Sequence, residues 1–275
     1  MESTSKHSIY TQTMRWAFFT LILACCLGAA WLYGVVAGEL TTTRYFDYRG
    51  DLGGTIVIGL SLEDSQNRKQ LRGVYFYKKY LKDIPLDGEY TGERSIVLRE
   101  RGANGVVIGI FALRFADRDP RGSSGDAPLD KEVLVGKWTS ADSTTQYPVY
   151  LRLRGTIALS PGQSRYAVAG AMNDTLIEHN AQAFYRSVLA GSRKIALRYV
   201  AYPVSFFLHG KRREAANEAE FLKSYRAIFT KDFVDRIARD MPHHMSAKPE
   251  GIMLADGAVW FDEQGKVRHL NNAPP

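Results

Sequence analysis

The stretch Gly73-Val74-Tyr75-Phe76-Tyr77-Lys78-Lys79 decides how this chain is read. Val74, Phe76 and Lys78 oppose Tyr75, Tyr77 and Lys79, which is the two-residue period of a strand. Its opening, a glycine followed two residues on by an aromatic ring, recurs at Gly88-Glu89-Tyr90, Gly109-Ile110-Phe111 and Gly136-Lys137-Trp138. A glycine inside a strand lets a sheet bend sharply, and a ring two positions later lies on the same face and covers the gap. Four such units suit a small closed barrel, which also leaves no exposed edge. Tyr75, Tyr90, Phe111 and Trp138 are therefore read as packing groups, not as a ligand-stacking platform.

The same alternation extends in both directions. Ile56, Ile58 and Leu60 form one run, and further strands are expected at 84–90, 94–100, 105–116, 132–140 and 146–154. Between them lie turn residues such as Arg101-Gly102-Ala103-Asn104-Gly105 and the longer segment 117–130. Arg49-Gly50-Asp51, ahead of Gly53-Gly54, reads as a plain turn. The expectation is an all-β antiparallel meander or barrel domain over 45–156. The succession GVYFYKK, IPLDGEY, IVLRE and VGKW resembles the calycin barrels, the lipocalin and avidin group. It is also similar to a β-domain of bacterial envelope proteins of unknown role. The resemblance implies a barrel of about 100 residues and carries over no functional residue.

Residues 157–173, with Ser160-Pro161-Gly162 and Gly170, read as a linker. A helix is expected from Asn173 or Asp174, with Thr175 and Glu178 spaced as a capping box and Gly191 closing it. Ile177, Ala181, Phe184 and Val188 share its inner face. Ile195, Leu197, Tyr199 and Ala201 alternate as a strand up to Pro203, where a bulge or sheet edge is expected, and Val204, Phe206 and Leu208 follow. Lys211-Arg212-Arg213 reads as a solvated turn. Asn217 and Glu220 repeat the capping spacing before Phe221, Tyr225, Phe229, Phe233 and Ile237, and Thr230 divides that region. Paired strands with turns at Asp256-Gly257 and Gln264-Gly265 end an α+β domain over 174–275. Tyr202-Pro203, Phe221-Leu222, Tyr225, Ile228-Phe229-Thr230, Gly251-Ile252-Met253-Leu254 and Val259-Trp260-Phe261 resemble a second segment of bacterial envelope proteins. The element order is similar to the cone-shaped fold of nuclear transport factor 2, some members of which carry an Asp and a His in the pocket. No such pair is matched here.

Before the barrel, Trp16–Gly38 runs without a charge. As a helix it is long enough to cross a hydrocarbon core of about 30 Å. With Lys6 and Arg15 ahead of it, the favoured reading is a cytoplasmic N-terminus at 1–15 and a single-pass anchor at 16–38 in the bacterial inner membrane, with the body in the periplasm. The alternatives are a cleaved signal ending near Val35-Val36-Ala37 and lipidation at Cys25. Cys25 and Cys26 are the only cysteines, so the body has neither disulfide nor thiolate chemistry.

The chain has 36 basic and 29 acidic residues, net +7 over 275 residues, with the two signs interleaved. That pattern describes a mixed solvated surface, not a nucleic-acid stripe. HExxH, GxSxG, P-loop and dinucleotide glycine patterns are absent from the sequence. The adjacent His243 and His244 are expected to diverge as surface histidines. No catalytic, cofactor-binding or metal-ligating residue is nominated. The expected function is a non-enzymatic, membrane-anchored periplasmic interaction protein of inhibitor, immunity or envelope-assembly type with an envelope protein partner. A carrier of a small apolar ligand in the barrel or cone pocket and a hydrolase of unidentified site are the alternatives.

Overall fold

Eight strands wind into a barrel in chain order: β1 (Thr43–Leu52), β2 (Ile56–Glu63), β3 (Leu71–Tyr77), β4 (Ile84–Tyr90), β5 (Ser95–Arg101), β6 (Val107–Phe115), β7 (Val133–Ser140) and β8 (Gln146–Leu159). Each pairs antiparallel with the next, and β1 pairs with β8 to close the ring. This closed antiparallel arrangement is compatible with the calycin type. The computed structural model describes residues 42–64, 69–122 and 130–273. The Trp16–Gly38 stretch lies outside them. Among the described residues no helix is long and apolar enough to cross a membrane.

Alternation in the sequence becomes inside and outside in the barrel. Tyr48, Leu60, Tyr75, Leu98, Phe111 and Leu151 fill the interior, each 2 % exposed or less. Tyr75 meets Phe111 edge-on at 5.1 Å, and Tyr90 and Trp138 pack against the same core. All four rings of the repeated glycine-aromatic unit thus act as packing groups. Gly109 shows why a glycine is needed: a β-carbon there would sit 2.5 Å from Trp138 Nε1 and 2.8 Å from the buried Glu100 carboxylate. Arg49-Gly50-Asp51 is not a turn but the end of β1, with the reversal at residues 53–55.

After β8 comes a short 3-10 turn, Ala167–Ala169, and then the α+β part. It consists of α1 (Asp174–Leu189), the one-turn α2 (Arg193–Ala196), a 3-10 turn (Leu197–Tyr199), β9 (Val200–Leu208), β10 (Lys211–Ala215), α3 (Glu218–Ile228), α4 (Lys231–Arg239), β11 (Ser246–Lys248), β12 (Gly251–Leu254), β13 (Val259–Phe261) and β14 (Val267–Leu270). The sheet order is β10-β9-β14-β13-β12-β11, with β14 parallel to β9 and the other pairs antiparallel. Ile177, Phe184, Phe221, Ile228, Ile237 and Phe261 form its core.

Three expectations change here. Residues 195–199 are helical, not extended, because Ser192–Ala196 closes a turn directly onto α1 and the strand starts only at Val200. Lys211-Arg212-Arg213 is an exposed edge strand, not a turn, and its charges guard the open edge. The helix cap of α1 is Asn173, whose side chain accepts from Leu176 N, so Glu178 is released from capping. Asn217 and Thr230 do cap α3 and α4. Pro203 follows a cis peptide in an interior strand, opposite the irregular step between Val267 and His269, so the bulge reading holds and the edge reading does not.

Candidate functional site

The outer wall of β1–β3 packs against the α+β part, and the polar residues of that seam converge. Phe76 points outward from β3 and is buried with Leu81 and Met241. A β-carbon at Gly59 would sit 2.3 Å from Phe76 Cζ and 2.7 Å from Arg49 Nη1, so the bare glycine makes room for both. Arg49 lies 5.0 Å over that ring and donates to the carbonyls of His243 at 2.5 Å and His244 at 3.1 Å. Lys78 donates to the Ala238 carbonyl at 2.6 Å.

His243 and His244 are not surface residues: their side chains are 8 % and 11 % exposed. They do not diverge either. His244 has a left-handed backbone, φ 46, and the rings stack 4.5 Å apart at 24°. Both Nε2 atoms reach one carboxylate, His243 to Asp83 Oδ1 at 2.8 Å and His244 to Asp83 Oδ2 at 3.0 Å. On its other side His243 Nδ1 is ion-paired with Glu178 Oε2. Glu178 Oε1 accepts from His244 N at 3.0 Å and from the Tyr166 hydroxyl at 2.8 Å. Tyr166 is fully buried and in turn accepts from Met245 N at 3.1 Å. Arg165, also buried, pairs with Asp47 across the seam.

Burial acts to lower the His243 imidazole, but hydrogen bonds to Asp83 and Glu178 outweigh it and push its pKa up to about 9. His244 goes the other way, lowered chiefly by burial and further by the Arg165 charge. Burial would raise the Asp83 and Glu178 carboxyls, yet the histidine contacts hold both below their ordinary values. The cluster thus sets one imidazole, raised, between two carboxylates, beside a second, lowered, whose buried Nδ1 has no hydrogen-bond partner. Asp83, His243 and His244 present three ligand atoms within 4.8 Å of one another, a set that can hold a metal ion.

Two clefts run along the same seam. One, of about 360 Å³, is lined by Asp47, Arg165, His244 and Met245 among others. The other, of about 750 Å³, gathers Arg49, Arg152, Arg154, Arg236 and Arg239 against Asp51, Asp240 and Asp256. Arg49, Arg154, Asp240, Met241 and Asp256 belong to both. Burial and the neighbouring Arg239 charge lower the Arg236 guanidinium, and its Nε is buried without a partner.

The sequence offered one pointer to this site, the doublet His243-His244 after Pro242. Asp83 lies just ahead of the strand expected at 84–90, Tyr166 in the expected linker and Glu178 in the expected capping box. No family model matches the chain, and no curated protein or solved structure matches it.

Proposed function

We propose that the protein is a non-enzymatic binding protein of the bacterial envelope, held in the inner membrane by Trp16–Gly38 with its body in the periplasm, and that it engages an acidic segment of an envelope protein partner. The observation that carries this reading is the arginine-lined cleft: Arg49, Arg152, Arg154, Arg236 and Arg239 line one concave surface with Asp51, Asp240 and Asp256. Beyond the pairs Arg152–Asp119 and Arg154–Asp256 it keeps a surplus of positive charge that draws an anionic chain segment. A filled interior points the same way. The barrel core is occupied by Tyr48, Tyr75, Leu98 and Phe111, which argues against an apolar ligand carried there. The α+β part is read as a cone similar to nuclear transport factor 2. The helix pair, hairpin, helix pair and four-strand meander support that likeness, and Phe184, Phe221 and Phe261 fill its inside.

The test uses the full chain in mild detergent as bait for the producer's solubilised envelope, beside Arg239→Glu, an exposed change at the cleft rim. A stoichiometric protein partner that is released by salt and lost on Arg239→Glu is the expected result. Equal capture by both baits, or no partner, overturns it. A hydrolase remains the second reading, favoured by the imidazole–carboxylate cluster on the same seam.

A further inference from the structure

We propose that Asp83, His243 and His244 bind one divalent transition-metal ion, of zinc-like preference for imidazole and carboxylate. The inference does not rest on the partner reading above. A pure ion-pair lock between the two halves is complete with one histidine, His243, between Asp83 and Glu178. The second ring is not needed for that lock, to which it adds one further contact, yet the chain adopts φ 46 at His244 to stack it beside the first and aim its Nε2 at the same carboxylate. Two imidazoles and one carboxylate on a common point form the three-ligand set of open zinc sites. Zinc bonds of about 2.0–2.1 Å place tetrahedral donors about 3.3 Å apart. The 2.8 and 3.0 Å contacts, each to its own Asp83 oxygen, lie within a few tenths of an ångström of that spacing. The three ligand atoms all lie within 4.8 Å of one another, so modest side-chain shifts gather them on one ion.

The surroundings match a metal centre. Glu178 holds the far nitrogen of His243, the outer-sphere partner that fixes a ligating imidazole's tautomer and orientation. Phe76 packs edge-on to both rings, 4.4 Å from His243 and 5.3 Å from His244. The Asp83 side chain is 39 % exposed, which leaves an open position for water. His244 Nδ1, buried and without a partner, shows that hydrogen bonding alone does not account for this ring's burial.

The experiment is a zinc titration of the untagged full chain in detergent, stripped by chelator, against a chromogenic competitor, with cobalt as a second probe. One equivalent bound per chain is expected, with visible cobalt bands of low coordination number. Asp83→Asn, a half-exposed loop change that leaves the core untouched, is expected to weaken binding at least tenfold. Glu178→Gln is expected to weaken it 10–100-fold, the usual loss for an outer-sphere partner. Circular dichroism confirms that both variants are folded. The proposal is overturned by absence of stoichiometric binding, by a cobalt spectrum like the aqueous ion, or by equal affinity in wild type, Asp83→Asn and His244→Ala.

Discussion

At His244 a single backbone angle changes what the neighbouring letters mean. In an extended chain or a helix adjacent side chains diverge, but φ 46 folds the second ring under the first. Such a conformation is set by the packing around it, here Phe76, Arg49 and Glu178, so nothing in the local sequence announces it. Titration follows from the same packing. His243 rises from 6.5 to about 9 on folding, so its contribution is complete below pH 6.5 and lost as pH passes 9. Acting alone it would be worth about 3 kcal/mol. His244 is lowered, so it resists protonation and costs stability as pH falls below 6.5. Asp83 and Glu178, both depressed, contribute above their ordinary values of 3.8 and 4.5 and fade in acid. Asp47, Arg49 and Arg165 complete the charged surroundings, and Tyr166, its hydroxyl raised by burial, stands among them uncharged. Chelator-treated protein is thus expected to be most stable near pH 6.5 and to weaken towards pH 9 in urea titrations. Asp83→Asn should flatten that alkaline limb. A limb unchanged in the variant would remove His243 as its cause. Gly59→Ala, which drives a methyl into Phe76 and Arg49, is expected to cost about 1–3 kcal/mol by the same measurement.

Elements were legible where a side chain acts on its own backbone. Asn217 and Thr230 were readable as caps because the hydrogen bond is local, to Glu220 N and Phe233 N. Thr230→Ala should cost about 1 kcal/mol, seen as a lower urea midpoint. Elements were misread where tertiary contacts decide. Residues 195–199 alternate like a strand, yet Leu197 is buried beneath α1 as part of a helical turn. Lys211-Arg212-Arg213 looked like a turn because its charges are the signature of solvent, which an exposed edge strand shares. The bare edge is expected to associate when that guard is removed. Replacing Lys211 and Arg213 with valine should produce oligomers in light scattering at neutral pH, and a monodisperse variant would show that the charges are incidental.

For the whole molecule, barrel and α+β halves were both visible in the sequence, since each is written as a periodicity over its own segment. The seam between them was not. Its residues come from positions 49, 76, 83, 165–166, 178 and 241–244, and no periodicity links points so far apart. Phe76 and Met241 lie in the two halves, 165 positions apart in the chain, and they meet in one buried cluster. That cluster is expected to couple the halves into one cooperative body. Phe76→Ala is expected to remove about 3–5 kcal/mol and to split a single calorimetric transition into two. A variant that still melts in one step would show that the seam does not couple the halves.

Closure of the barrel has a mechanical corollary. Thr43 lies directly opposite Leu159 across the β1–β8 ladder, so the chain enters and leaves the barrel through neighbouring points. Tension drawn between the preceding segment and the α+β part would load this ladder from one end, as a zipper is opened, one pair of hydrogen bonds at a time. It would not shear the strands past one another. The barrel's weakest direction thus coincides with the line along which its own chain would pull. Arg49, reaching from β1 to the carbonyls of His243 and His244, is a stop partway down that zipper.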